Sequence, residues 1–320
     1  MPPSGGIFVC AYPSWRPDRT RKMPDQAEFS IDARPRPPHL AGLPPPRPGM
    51  GIIGIGAFGA FAIPHLARHF DLSLHDAGPH VEAMRLPERA RRADLETAAR
   101  QEVVVLAVPL SALGEVARSI APLLRPGALV VDVCSLKVRP LEILDAALPP
   151  HVDIVGTHPL FGPQSGKGGI SGLRIAVCRA RGRRDVLVRR FLKAVLGLDA
   201  FPTTPERHDR QMAYVQGLTH LLSRVILAMD LPPLDHTTPT FEHMMRMVAS
   251  VRHDTDELYR AITRENPFAG EMRARFLDAA QRLAGPDRNG ATGICRGPGL
   301  SYTDRISRPE PSGVSGERQE

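Results

Sequence analysis

The sequence predicts an α/β fold in which a mostly parallel sheet is followed by an all-helical domain. Three observations carry that expectation. Met50–Ile55, Val103–Val108 and Ala128–Val133 are apolar without alternation, as strands covered on both faces must be. Segments with helical spacing of apolar residues separate them, the βαβ pattern of a parallel sheet. From Pro205 to about Leu283 no strand signal occurs and helical periodicity carries on.

A chain of 320 residues can bury a large core and suggests two domains. Residues 1–48 hold 12 of the 33 prolines without sustained periodicity, so they are expected to form a disordered, Pro-rich arm. Residues 49–203 then form the sheet domain, 204–285 the helical domain, and 286–320, rich in Gly, Pro, Ser and Arg, a flexible tail. The formal net charge is +7. A basic balance suits small anionic substrates as well as nucleic acid, but with 5% aromatic residues and no aromatic–basic interleaving the chain offers no base-stacking platform. Cys10, Cys134, Cys178 and Cys295 are far apart and form no metal-ligand pattern. They read as free thiols of a cytoplasmic protein without a bound metal. No apolar run approaches the ~20 residues of a membrane span.

In chain order, the strand Met50–Ile55 runs into Gly54-Ile55-Gly56-Ala57-Phe58-Gly59, and a helix is expected over 57–70. Strand, G-x-G-x-x-G, helix is the context a dinucleotide fingerprint requires, so the sheet domain is expected to be of the Rossmann type. Gly54 serves the tight turn, Gly56 the approach of a pyrophosphate and Gly59 the packing of helix on strand. Ile55 and Phe58 belong to the same cofactor loop. After Leu72–Leu74, Asp76 stands 22 residues beyond Gly54, where a ribose-binding carboxylate belongs, and an acid there favours NAD over NADP. Val108 and Pro109 close the next strand at the cofactor crevice, with a helix from Ser111. Ser135 and Lys137 follow Ala128–Val133 at the same edge.

Gly156-Thr157-His158-Pro159-Leu160-Phe161-Gly162-Pro163 follows the apolar run Val152–Val155. Its prolines and glycines predict a stiff loop at a strand end, with His158 placed to move a proton. Leu173–Cys178 reads as a further strand and 186–196 as a helix. In the helical domain Gln216, His220 and Arg224 recur every four residues and so share a face, on which His220 and Arg224 are candidates to hold a carboxylate.

These residues resemble the prephenate/arogenate dehydrogenase family. The likeness runs from about Met50 to about Leu283. It rests on the glycine loop, Ala107-Val108-Pro109, Asp132-Val133-Cys134-Ser135-Leu136-Lys137 and Thr157-His158-Pro159-Leu160-Phe161-Gly162-Pro163-Gln164-Ser165-Gly166. It continues through His208-Asp209, Gln216-Gly217-Leu218-Thr219-His220, Leu258-Tyr259 and Glu265-Asn266-Pro267. The resemblance implies NAD-dependent oxidative decarboxylation of a cyclohexadienyl dicarboxylate by a homodimer paired through its helical domain. It implies that His158 takes the proton from the C4 substituent, that Ser135 orients His158, and that His220 contacts the substrate; Gln216, Arg224 and Thr157 are expected to bind the substrate with it. A member of another class, a Rossmann protein that senses NAD without turnover, would need none of these groups.

One position departs from the family's pattern. Ser250 stands where many members carry a substrate-binding arginine, nine residues before Tyr259, and Arg246 and Arg252 are its nearest replacements. Neither a chorismate mutase segment nor an amino-acid-binding regulatory domain is evident. Together these favour 4-amino-4-deoxyprephenate, in a secondary (antibiotic) pathway, over prephenate or arogenate on the route to tyrosine.

Overall fold

The computed structural model describes residues 47–284 apart from 79–81, 83 and 253. The expected arm through residue 46 and the expected tail lie outside the described residues. One compact unit extends to Phe276, and a second begins at Leu277.

The first unit is built on an eight-stranded sheet of order β3-β2-β1-β4-β5-β6-β7-β8. The strands are β1 (Gly49–Ile53), β2 (Asp71–His75), β3 (Ala90–Arg92), β4 (Val103–Leu106), β5 (Leu129–Asp132), β6 (Asp153–Pro159), β7 (Arg174–Arg181) and β8 (Asp199–Pro202). Every pairing is parallel except β6 with β7. Helices α1 (Ala57–Leu66) and α5 (Asp185–Ala194) cover one face, burying Ile63 and Leu192 against Ile52, Leu72, Val131 and Val155. Helices α2 (Leu95–Ala99), α3 (Leu110–Ile120) and α4 (Val138–Ala147) cover the other. Leu113, Ala117 and Ile120 of α3 lie at i, i+4 and i+7 and are fully buried against Val104, Leu106 and Val130. With both faces covered, the central strands need no polar side, which is why they read as unbroken apolar runs.

The helical part follows as α6 (Pro205–Met212), a π-helical segment Ala213–Leu218, α7 (Thr219–Ala228), α8 (Pro239–Val251), α9 (Asp256–Arg260), a second π-helical segment Ala261–Glu265 and α10 (Ala269–Ala284). Thr204, Thr238 and Thr255 cap α6, α8 and α9 with their side-chain oxygens, and Pro205 and Pro239 take first-turn positions where a missing N–H is harmless. Helix α4 is capped differently. Its backbone N–H groups at Lys137 and Val138 donate to the two carboxylate oxygens of Asp209 in α6, at 2.8 and 2.9 Å. That long-range cap joins the helical part to the sheet part at the carboxyl edge.

Thr157, His158 and Pro159 were expected on a loop, and the structure corrects this. All three belong to β6 and pair with Val177, Ala176 and Ile175 of β7. Glycine is tolerated at 156 because the Leu141 side chain occupies the space a Cβ would need, with contacts at 3.0 Å. Among the described residues no helix is long and apolar enough to cross a membrane.

Candidate active site

The glycine loop joins β1 to α1, and its three glycines have three different reasons to be glycine. Gly54 has φ +97°, and a Cβ there would meet the Ala107 carbonyl at 2.5 Å. Gly59 would drive a Cβ into the Gly54 carbonyl, so only glycine lets helix approach strand. A Cβ on Gly56 would meet nothing within 4 Å, so this glycine keeps space open above the loop. Gly56 caps α1 without a side-chain hydrogen bond. The open space and first-turn N–H groups fit a pyrophosphate.

Asp76 stands past the end of β2 and takes the Ile55 N–H at 2.5 Å and the Gly78 N–H at 2.7 Å. A carboxylate at this place is an acceptor of the kind a ribose hydroxyl pairs with. Phe58 packs its ring 6.1 Å from Phe61 and 6.5 Å from Phe161. Val108 is half-buried and Pro109 caps α3 at the same edge.

The second half of the site is a line of polar groups through the protein. His158 is 3% exposed, His208 3% and Asp209 0%. His158 Nδ1 lies 2.9 Å from His208 Nε2, and His208 Nδ1 lies 2.7 Å from Asp209 Oδ1. Asn266 Nδ2 donates to the Asp209 carbonyl at 2.8 Å and holds that end of α6. The chemistry fixes the direction of the line for neutral rings. A carboxylate only accepts, so His208 Nδ1 carries the proton and His208 Nε2 the lone pair. His158 Nδ1 therefore donates to His208, and the free lone pair of His158 is at Nε2. Gln216 Nε2 lies 3.4 Å from that atom.

Burial pushes the His158 imidazole well below the usual histidine value, with His208 and the Lys137 ammonium adding to the effect. The ring thus stays a neutral base at neutral pH. The thiols are not candidates for thiolate chemistry: burial pushes Cys178 up to about 12 and Cys134 well above its ordinary value.

Beneath His158, the Lys137 ammonium is wholly buried and pairs with Asp132 at the end of β5. It also donates to the Thr157 carbonyl at 2.7 Å, while the Thr157 hydroxyl donates to the Asp132 carbonyl at 2.9 Å. These bonds fasten β5 to β6 one residue before the base. Thr157 was expected beside the substrate; its hydroxyl and carbonyl are instead committed to this frame. Ser135 is half-buried in the turn after β5, and the hydrogen bonds that hold His158 come from His208 and Gln216.

On α7, His220 Nδ1 faces the Gln216 carbonyl at 2.8 Å and Nε2 faces Asp254 at 3.0 Å. Arg224 pairs with Asp256 at 2.7 Å and lies over the Tyr259 ring at 5.0 Å. Gln216, His220 and Arg224 thus lie along one run, with the first in a π turn and the other two engaged by the segment before and at the start of α9. Arg246 does not join them. It is 61% exposed on α8 and lies 3.9 Å from Glu242. Ser250 is also exposed, its hydroxyl turned onto the Met247 carbonyl. Sequence reasoning quoted His208-Asp209 as part of a motif and gave it no part in the site. An adjacent His-Asp pair 50 residues beyond His158 was the available signal.

The chain is similar to known proteins in sequence and in fold. The family described as prephenate dehydrogenase, nucleotide-binding domain, matches residues 72–172. Arogenate dehydrogenase 2, chloroplastic, of Arabidopsis thaliana is 30% identical over 241 residues, covering 72% of this chain and 67% of that protein. A probable arogenate/prephenate dehydrogenase of Methanocaldococcus jannaschii is 28% identical over 205 residues. There the match covers 60% of this chain but only 45% of the relative. The 4-amino-4-deoxyprephenate dehydrogenase of Streptomyces pristinaespiralis is 32% identical over 192 residues, 58% of this chain and 64% of that one. In fold the chain is similar to the prephenate dehydrogenase of A. aeolicus, solved with hydroxyphenyl propionate and NAD+. The TM-score is 0.61 at 18% identity, over 76% of this chain and 90% of that one. On the nucleotide-binding match and the extent of the plant relative, the chain belongs to the prephenate/arogenate dehydrogenase family.

Proposed function

We propose that the protein catalyses NAD-dependent oxidative decarboxylation of a prephenate-type cyclohexadienyl acid, with 4-amino-4-deoxyprephenate placed ahead of prephenate and arogenate. The observation that carries the reaction type is the directed line Asp209–His208–His158, which ends in a buried imidazole lone pair at the carboxyl edge of the sheet. The glycine loop and Asp76 belong to that same edge and would hold the dinucleotide. When bound, the nicotinamide supplies the hydride acceptor.

The chain's own residues supply the rest. His158 Nε2 takes a proton from the group on C4, and its own Nδ1–H hands part of the new charge to His208 and Asp209. Burial of the three groups excludes water from that transfer. Loss of carbon dioxide from C1 makes the ring aromatic, so the enzyme need supply only a base, an orientation and the cofactor. Arg224 and His220 stand on the face proposed to bind the substrate carboxylates, where they would exchange Asp256 and Asp254 for the ligand. The Streptomyces relative and the serine at 250 support the amino substrate.

Exposed Tyr214, Val215, Val225 and Met229 support a homodimer joined through the helical part. NADH absorbance with prephenate, arogenate and 4-amino-4-deoxyprephenate on one preparation tests the reaction. Turnover with one of them is expected, with the highest specificity constant for 4-amino-4-deoxyprephenate, and silence with all three rejects the reading.

A further inference from the structure

The strand order leaves the middle of the sheet thinly covered on one side. Strands β4 and β5 are followed by α3 and α4, and both of these helices go to the same face as α2. Only α1 and α5 lie on the other face. A helix with its side chains is about 10 Å across and strands stand about 4.8 Å apart, so one helix covers about two strands. Val103 and Val105 of β4 and Leu129 and Val131 of β5 turn toward α1 and α5 and border a cavity of about 160 Å³ between those helices, partly open to solvent. An apolar cavity of about 150 Å³ stays dry and takes up a benzene-sized guest.

The wall is aromatic where α1 meets the segment after β6. The rings of Phe58 and Phe61 lie 6.1 Å apart, and Phe161 lies 6.5 Å from the first and 6.3 Å from the second. His65 stands 5.2 Å from Phe61. The segment after β6 is pressed onto this wall, since a Cβ on Gly166 would meet the Phe61 ring at 2.5 Å. Two polar side chains line the cavity, Thr157 and His65. The Thr157 hydroxyl is already committed to the Asp132 carbonyl. Burial, with Arg68 adding to it, holds the His65 imidazole below its ordinary value, so the ring is uncharged at neutral pH. Among the described residues no lysine or arginine lines the cavity. A carboxylate placed there would lose its hydration without gaining a counter-charge, which excludes the acids that the active site handles.

We propose that this cavity binds one small, neutral, single-ring aromatic molecule bearing a hydroxyl or amino group, and that its occupancy is linked to cofactor affinity. A flat ring fits among the tilted and edge-on rings of the wall. A neutral imidazole offers one acceptor nitrogen, the partner that a hydroxyl or amino hydrogen needs. The link runs through Phe58. This side chain lines the cavity, and its backbone belongs to the glycine loop and the first turn of α1, whose N–H groups would hold the pyrophosphate. Pro64 stands inside α1 and gives no N–H to the Ala60 carbonyl, so the position of that helix depends the more on side-chain packing. A guest in the cavity supplies packing beneath Phe58 and steadies the loop before the cofactor arrives. By reciprocity the bound cofactor tightens the guest.

The test is calorimetric titration of the full chain with phenol, and with benzoate as its charged counterpart. Phenol is expected to bind at one site per chain with a Kd of about 1 mM or below, and benzoate at least about tenfold more weakly. At saturating phenol the Kd for NAD should fall by about fivefold, the lower end of coupling between sites. Ala62→Phe fills the cavity from α1 and Val188→Phe fills it from α5. Each should abolish phenol binding and leave an NAD affinity that no longer responds to phenol. NAD binding itself shows that a variant has folded, and if one fails to fold the other decides. Absence of phenol binding in wild type, equal affinity for benzoate, or undiminished phenol binding in the folded variants overturns the site. Phenol binding that emerges only when residues 1–46 are removed would give the cavity to that segment and overturns it as well. An NAD affinity indifferent to bound phenol overturns the link.

Discussion

His158 and His208 come from a strand and a helix 50 residues apart, yet their rings meet nearly edge to face, with Nδ1 2.9 Å from Nε2. A base held in this way is oriented by its neighbour as well as activated by it. His208→Gln should therefore lower kcat by roughly tenfold to a hundredfold, the lower range of general-base contributions, while the Kd for NAD stays near wild type. Stopped-flow NADH formation and fluorescence titration of the cofactor check the two halves. Undiminished kcat would reduce the histidine pair to packing.

The direction of the His158 shift has two consequences for pH. Because the buried ring resists protonation, log kcat/KM should stay level as pH falls past 6.5 and bend only in more acid solution. The unfolded chain binds a proton at His158 from about pH 6.5 downward, whereas the folded chain binds it only at lower pH. Stability from this group is thus complete above that value and is lost as pH falls through it. Melting temperatures between pH 7 and 5 should fall less steeply for His158→Asn than for wild type, and equal slopes would contradict the shift.

The buried pair of Lys137 with Asp132 makes a third expectation. Lys137→Met leaves a carboxylate buried without its counter-ion and should cost about 3–5 kcal/mol in urea unfolding. Lys137→Met combined with Asp132→Leu should recover part of that loss. A double variant worse than the sum of the singles would mean that the strands are held by something else.

Asp76 anchors the glycine loop through Ile55 and is proposed to hold the cofactor ribose. Asp76→Ser removes the negative charge that disfavours a 2′-phosphate. The ratio of kcat/KM for NAD over NADP should fall by about tenfold or more. A wild-type enzyme that prefers NADP would invalidate the assignment.

The exposed Val215 and Met229 flank the face proposed for dimerisation. Val215→Asp with Met229→Lys should shift the mass seen by light scattering toward the monomer at micromolar concentration, whereas an unchanged mass moves the interface elsewhere.

Much of this was legible in the chain because its signals were local. The three glycines, the carboxylate 22 residues later and the unbroken apolar strands each depend on neighbours in sequence. The errors arose where distant residues decide. Thr157–Pro159 looked like a loop because glycine and proline surround it, but β7 supplies hydrogen bonds from the far side and Leu141 fills the glycine's space. Helix α4 carries no cap of its own, since the cap is Asp209, 71 residues away from Val138. Ala90–Arg92 lacks the apolar, β-branched character of a strand and is one by virtue of lying beside Leu72–Leu74 at the sheet edge. Arg246 was selected by helical spacing from Ser250, which says nothing of which way that face of α8 points.

The π-helical segments Ala213–Leu218 and Ala261–Glu265 bear on how such a site can change. A π turn holds one residue more than the α turn it interrupts. Removing a single residue between Ala213 and Leu218 would let the helix run regular and leave everything beyond it facing much as it does, because the wide turn absorbs the extra residue within itself. The regular helix would have better backbone hydrogen bonds and would keep His220 and Arg224 on their face, but the side chains inside the turn, Gln216 among them, would be re-aimed. Point substitution explores this region one side chain at a time, whereas one deleted codon re-aims several side chains of the turn at once and leaves the α7 face in place. New substrate preferences on this scaffold are therefore as accessible through length variation in these two turns as through exchange of the residues that line the site.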